Sequence, residues 1–321
     1  MRSLIKLFFA ASVLIVVVPG QSLRGPVEGF TFDAPTQSLR AVNGIPGAAQ
    51  LALPILTNIT YASVAPDKNH AVAVRNGDCL FVSGLKSGKA ATAAITGVSG
   101  HPEGVVWAGN SSLAVLYSFS EKWIQTLSGL PQAPHANSPV ELSALSGTFS
   151  AVAVDVAGKQ IAIAAGGVFL ISAGQDFVPI AKMANPIALS FSPDGANLYA
   201  LDGAERQLAA ITIANWNSRI FPLTEFENPI ALRAGHDSAN QPLVYVVSGK
   251  DRLLGVYNPA SEKIQSTFRL GFEPTGVEDL GSNSFVIASR SNAGDPLWLF
   301  TTAPRMAVYF VPAGQVSKEL Q

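Results

Sequence analysis

Cysteine is almost absent from this chain: Cys79 is the single one among 321 residues. No intrachain disulfide can form, so packing has to hold the fold. Charge is sparse as well, at 13% of residues against 48% hydrophobic. That ratio suits sheets buried on both faces. There is no basic excess, with 21 Lys and Arg against 22 Asp and Glu, which argues against nucleic acid or an anionic membrane surface as the main partner. The four histidines, His70, His101, His135 and His236, show no metal-ligand spacing. No Gly-x-Ser-x-Gly elbow occurs. The glycine pair in Ala164-Ala165-Gly166-Gly167 lies between β-type runs with no helix following, so it cannot cradle phosphate. Nothing here forms a catalytic signature, and no metal or cofactor is expected.

Long apolar runs are missing too, with one instructive exception at the start. Arg2 and Lys6 precede Leu7–Val18, twelve uncharged apolar residues broken by Pro19 and Gly20. Twelve residues fall short of the roughly 20 that span a bilayer. The pattern is that of a signal peptide over residues 1–20, with Val18 and Gly20 as small residues before the cut. Its removal leaves 19 basic against 22 acidic residues, a net charge of −3. The expectation is an exported protein, periplasmic or secreted, with no transmembrane segment in the mature chain.

What the chain does have is a repeat. Segments starting at Asn58, His101, Thr148, Asn185, Asn228 and Glu273 align without a gap over ten residues, at steps of 43, 47, 37, 43 and 45. Their first position is polar every time. Short β-type runs fill each interval, and a period of about 40–45 residues built this way marks propeller blades. In the repeat from Asn185 the strands read Ile187–Phe191, Leu198–Leu201, Leu208–Ile213 and Arg219–Leu223. Ser192-Pro193-Asp194-Gly195 makes the first turn, since Pro presets φ and Asp and Gly suit the reversal. The same turn returns as Ala65-Pro66-Asp67-Lys68, and in worn form as Asp155-Val156-Ala157-Gly158.

Aligned columns show how the blades stack. Side chains alternate faces along a strand. One column holds Ala62, Val105, Val152, Leu189, Leu232 and Val277. The next-door column holds Tyr61, Gly104, Ala151, Ala188, Ala231 and Gly276, small in five of six cases. One face is bulky and the other shallow, as stacking blades require. The fold class is therefore all-β: a β-propeller of six recognisable four-stranded repeats at 58–312, plus an N-terminal hairpin. That hairpin, Gly29–Asp33 and Ser38–Val42 joined by Ala34-Pro35-Thr36-Gln37, lies in a lead-in over 21–57. It reads as a partial or ring-closing blade set against strands near 296–311, leaving six or seven blades open. Residues 128–147, rich in Pro, Ser and Ala, form the longest irregular insertion, and 313–321 a C-terminal tail.

The stretch Asn185-Pro186-Ile187-Ala188-Leu189-Ser190-Phe191-Ser192-Pro193-Asp194-Gly195, continuing to Leu198-Tyr199-Ala200-Leu201-Asp202, resembles the repeats of YVTN-type and wider WD40-like bacterial β-propellers. The resemblance implies a propeller whose ligands or partners meet its faces or central channel. It passes on no activity, because that fold hosts many functions.

The polar first column is the candidate ligand-binding set: Asn58, His101, Thr148, Asn185, Asn228 and Glu273, a ring of donors and acceptors at one mouth of the channel. The competing role is local loop capping, which Asn suits well. The column at Ser190 holds Ser63, Val106, Ala153, Ser190, Arg233 and Glu278. Its two charges are opposite in sign and sit in consecutive repeats, so a structural ion pair between Arg233 and Glu278 is expected. Cys79 reads as a buried thiol. Tryptophans 107, 123, 216 and 298 read mainly as packing residues, with a sugar platform as the sharper option. The functional reading is a binding or protein-interaction module whose partner is an unknown protein or small molecule. The competing reading is an extracytoplasmic hydrolase or lactonase-like enzyme working in the channel.

Overall fold

The computed structural model describes residues 25–171, 176–281 and 283–314. The signal segment 1–20 and nearly all of the tail expected at 313–321 lie outside them. Seven antiparallel sheets form a seven-bladed β-propeller. The first blade is built from Val27–Asp33, Ser38–Asn43 and Gln50–Thr57. The inner strands of the next six are Tyr61–Val64, Gly104–Trp107, Phe149–Val154, Pro186–Phe191, Pro229–His236 and Gly276–Gly281. A 3-10 turn at Ala34–Thr36 is the sole helical element among the described residues.

The N-terminal hairpin is thus a true blade, because Gln50–Thr57 adds a third strand to it. The strand was hard to see in the sequence: Pro54 interrupts it and its register shifts near Arg40. Proline at an edge strand blunts further pairing. The insertion at 128–147 is not wholly irregular either. His135–Ala136 and Val140–Glu141 both pair with Trp123–Ser128, forming the fourth strand of blade 3 in two pieces.

Bulky residues press backwards around the ring. Leu189 and Phe191 pack on Ala162, Ala164 and Val168 of blade 4, Leu232 on Leu201 and Leu208 of blade 5, and Val277 on Tyr245 and Val247 of blade 6. At the far end of the inner strand in blades 2 to 6 the chain reverses through one recurrent turn. Gly195, Lys68 and Gly158 occupy its left-handed position at φ 71, 57 and 71. Each donates its N–H to the residue three before it, at 2.8, 2.8 and 3.1 Å. The same closure recurs at Ser111 onto Ala108 and Asn240 onto Asp237, where no Pro-Asp pair advertises it.

The first blade runs the other way. Gly29, at the start of its inner strand, lies against Leu280, near the end of the blade 7 inner strand; a Cβ there would come within 2.6 Å of the Leu280 carbonyl oxygen. Lys68, in the first turn of blade 2, donates to the Glu28 carbonyl at 2.7 Å. Phe32, near the strand's end, meets Tyr61 at the start of the blade 2 inner strand, rings 6.1 Å apart. Parity explains the inversion. A four-stranded meander starts and ends on one face, whereas three strands start and end on opposite faces. To deliver the chain to Asn58 at the entry face, a three-stranded blade must begin at the exit face.

Blades 1 and 7 share no strand among the described residues, so their contact closes the ring through side chains. Val42, Ala49 and Leu51 pack on Leu280, Leu297, Leu299 and Val311, the hairpin-to-C-terminus contact expected from the sequence. Pro312–Gly314 continues across blade 1 so tightly that a Cβ on Gly314 would collide with the Leu51 carbonyl. Beside this cluster Asp33 is held between two arginines, Arg40 Nη1 at 3.0 Å and Arg290 Nη1 at 3.1 Å, with side chains 1%, 3% and 5% exposed. Arg40 also donates to Ala52 O and Arg290 to Ala293 O, each at 2.7 Å, and Thr36 donates to Asp33 at 2.6 Å. Burial pushes the Arg290 pKa down and Asp33 opposes it. Removing the one anion strands two buried cations. Asp33→Asn is expected to lower unfolding free energy by about 3–5 kcal/mol, read by chemical denaturation. Arg40→Met combined with Asp33→Asn and Arg290→Met is expected to cost less than Asp33→Asn alone.

Candidate functional site

The inner strand of a blade has one edge free, and its unpaired N–H and C=O groups face the channel. Hydroxyls from the preceding blade meet several of them. The Tyr61 hydroxyl accepts from Val105 N–H at 3.3 Å and donates to Val105 O at 3.4 Å. Ser190 Oγ accepts from Ala234 N–H at 3.0 Å, and Ser150 Oγ donates to Pro186 O. Tyr61 is the bulky exception in the small column, and this bridge is its reason. Gly104 in that column has a different purpose. A Cβ there would collide with the Tyr117 hydroxyl, so glycine lets Tyr117 reach over its own inner strand into the channel.

In blades 4, 5 and 6 the register of the inner strand shifts at the same place, between Phe149 and Ala151, Pro186 and Ala188, and Pro229 and Ala231. The bulged residues Ser150, Ile187 and Ile230 line the cavity, so the bulge adds a side chain to its wall. The cavity has a volume of about 550 Å³ and runs through the ring from Phe32 and Tyr61 to Lys68 and Gly281 at the exit face.

Arg233 and Glu278 stand in this cavity wall. The expected ion pair is not formed: their charged atoms do not approach within 4.0 Å, and each side chain opens into the channel instead of packing between blades 6 and 7. The sequence argument assumed burial at that column, but channel-facing positions at the free edge are reached by water. Among the described residues neither charge has a hydrogen-bond or ion-pair partner. Glu278 is in reach of water yet surrounded by protein. The resulting desolvation raises its pKa, with the Arg233 charge working against that rise. Burial also raises the hydroxyl pKa of Tyr61 and Tyr117, and both tyrosines feel the Glu278 charge. Four polar groups from blades 2, 3, 6 and 7 thus influence one another across the channel.

The polar first column lies elsewhere. Topology puts Asn58, His101, Thr148, Asn185, Asn228 and Glu273 together at the entry face, and none of them lines the cavity. His101 is 82% exposed and pairs with Glu121 at 3.1 Å. Asn58 adopts φ 57, a left-handed conformation that Asn tolerates. Asn185 and Asn228 tie their backbones into their own blades, through Asp202 at 2.9 Å and Ser248 at 3.2 Å. Arg233, Glu278 and Tyr117 line the cavity and lie outside the candidate set drawn from the sequence. Two of them carried a signal, as lone charges in an otherwise uncharged column.

Other chemistry is scattered. His70 contacts Asp67 at 2.5 Å and stacks on Phe81. No group of three or more His, Cys, Asp or Glu able to hold a metal occurs among the described residues. Cys79 is buried, and burial pushes its thiol up to about 11, which keeps it unreactive. Trp123 is buried and Trp298 stacks on Phe272 at 4.4 Å, whereas Trp216 is exposed. No helix among the described residues is long and apolar enough to cross a membrane.

No family model and no curated protein matches this chain, so the repeat family suggested by residues 185–202 gains no support beyond the fold. Among solved structures, a functionally unknown protein from Desulfotomaculum acetoxidans superposes with a TM-score of 0.62 at 12% identity, over 88% of this chain and 99% of its own. Hydrazine synthase of Kuenenia stuttgartiensis superposes at 0.55 and 14% identity, over 76% and 77%. Identities this low speak for the propeller fold alone.

The raised pKa of Glu278 has a thermodynamic consequence. A carboxyl with a higher pKa folded than unfolded holds its proton longer in the native state, so stability falls as pH rises from the unfolded value through the folded one. Arg233, Tyr61 and Tyr117 are the groups facing it. Glu278→Gln is expected to raise the melting temperature at pH 8, with the gain shrinking towards zero as the pH is lowered to about 4. Tyr61→Phe leaves the Val105 N–H and C=O without their bridge and is expected to cost about 1–2 kcal/mol by denaturation.

Proposed function

We propose that this protein is an exported binding module whose ligand enters the central channel. The carrying observation is the cavity of about 550 Å³ with two unpartnered, opposite charges in its wall. The volume falls in the 300–1,000 Å³ range usual for a small-molecule site, and the wall combines polar and apolar surface in comparable measure. Leaving Arg233 and Glu278 apart costs stability that packing would not ask for, and a perturbed carboxyl in a cleft is a functional signal. Ligand-observed NMR with a diverse fragment set is expected to find binders whose signal is lost in Ser63→Phe, which narrows the channel at a residue lining it. Hits that all survive this substitution would move the site away from the channel.

One observation favours the hydrolase or lactonase-like reading. Glu278 combines a raised pKa with two nearby tyrosines, a setting suited to general acid or base work. Hydrolysis of a lactone and ester panel that disappears in Glu278→Gln would establish that reading over simple binding.

Export rests on the sequence pattern of residues 1–20. The mature N-terminus is expected at or near Gln21 by intact-mass spectrometry, and a Met1-bearing cytoplasmic protein would overturn it.

A further inference from the structure

We infer that the channel binds a small zwitterion, a free α-amino acid or dipeptide, with its carboxylate on Arg233 and its ammonium on Glu278. The inference rests on the binding-module reading and adds the ligand class.

Arg233 and Glu278 belong to consecutive blades at one depth of the channel, yet they do not neutralise each other by contact. Guanidinium presents a planar fork of donors that fits a carboxylate or phosphate. A dianionic phosphate would meet one guanidinium and face the repulsion of Glu278, with Asp279 also in the cavity wall. The other cation of the cavity, Lys68, lies at the exit rim, where it donates to the Glu28 carbonyl. A single Arg suits a monoanion. An anion alone would still leave Glu278 without a partner, and a cation alone would leave Arg233 without one. A ligand carrying one charge of each sign satisfies both while adding no net charge to the channel.

The remaining wall fits the rest of such a molecule. Tyr61 and Tyr117 line the same cavity and feel the Glu278 charge, and their aromatic character is favourable to an ammonium. Phe32, Ile187 and Ile230 supply apolar surface for a side chain. The two charges come from separate inner strands, so blade spacing fixes their Cα positions, and the unpaired side chains can adjust to the charge separation of the ligand.

Isothermal titration calorimetry tests this with L-leucine, Leu-Leu, N-acetyl-L-leucine, which keeps the carboxylate alone, and L-leucinamide, which keeps the ammonium alone. At least one zwitterion is expected to bind, and each half-charged analogue of leucine to bind at least about tenfold more weakly, the loss of one charge-assisted contact. Arg233→Met is expected to weaken the zwitterion at least tenfold without changing leucinamide binding. Glu278→Gln is expected to weaken it similarly without changing N-acetyl-leucine binding. If Arg233→Met fails to fold by circular dichroism, Arg233→Lys replaces it, keeping the charge and losing the fork. Equal binding of zwitterion and half-charged analogues, or zwitterion binding indifferent to both substitutions, would overturn the inference. If neither zwitterion binds while other fragments occupy the channel by NMR, the ligand class fails and the binding module stands. If nothing occupies the channel, both fail.

Discussion

Everything in this ring depends on the contact between its first and last blades. A propeller resists opening only as well as its weakest interface, and here no strand crosses that interface among the described residues. Apolar packing of Val42 and Leu51 on Leu297, Leu299 and Val311 does the work that backbone pairing could have done. Asp33 adds direction to it, since a carboxylate between Arg40 and Arg290 fixes the two blades in one register. The buried carboxylate is offset by two cations and by the Thr36 hydroxyl, and the arginines place further donors on Ala52 O and Ala293 O, while Arg290 Nε stays without a hydrogen bond.

The inverted first blade follows from the same economy of chain. With three strands in place of four, the meander changes faces, so its inner strand opposes the direction of the other six. This puts Glu28 at the exit rim, where its side chain meets Ser284 at 2.5 Å and its carbonyl receives Lys68. The rim of the cavity and the closure of the ring are therefore built from neighbouring parts of one blade. Glycine at position 29 is what permits the close approach to Leu280.

The sequence made the architecture legible wherever the repeat was regular. The inner strand read as Ile187–Phe191 runs from Pro186 to Phe191, because alternating side chains and a Pro-Asp-Gly turn act within a few residues. The first blade was harder to read, since its third strand contains Pro54 and has no counterpart in the repeat. The split fourth strand of blade 3 consists of two dipeptide bridges, too short to show any periodicity. The site was half visible. Arg233 and Glu278 stood out as charges in an uncharged column, but columns report which face of a strand a residue occupies. They do not report whether that face is sealed by the next blade or left open by the ring.

That distinction decides how the two charges should be understood. In a sealed interface, opposite charges at equal depth would be drawn into contact, because the low dielectric makes separation expensive. At the free edge of an inner strand the side chains are bounded by water on one side, and their backbones belong to separate sheets. Water screens them enough to be left apart, while the surrounding protein still raises the Glu278 pKa. A charge kept in that intermediate state gains more from an incoming partner than one fully solvated or already paired. Under the proposed binding role, the channel would therefore be most receptive at the two positions where the sequence led to the expectation of a structural pair.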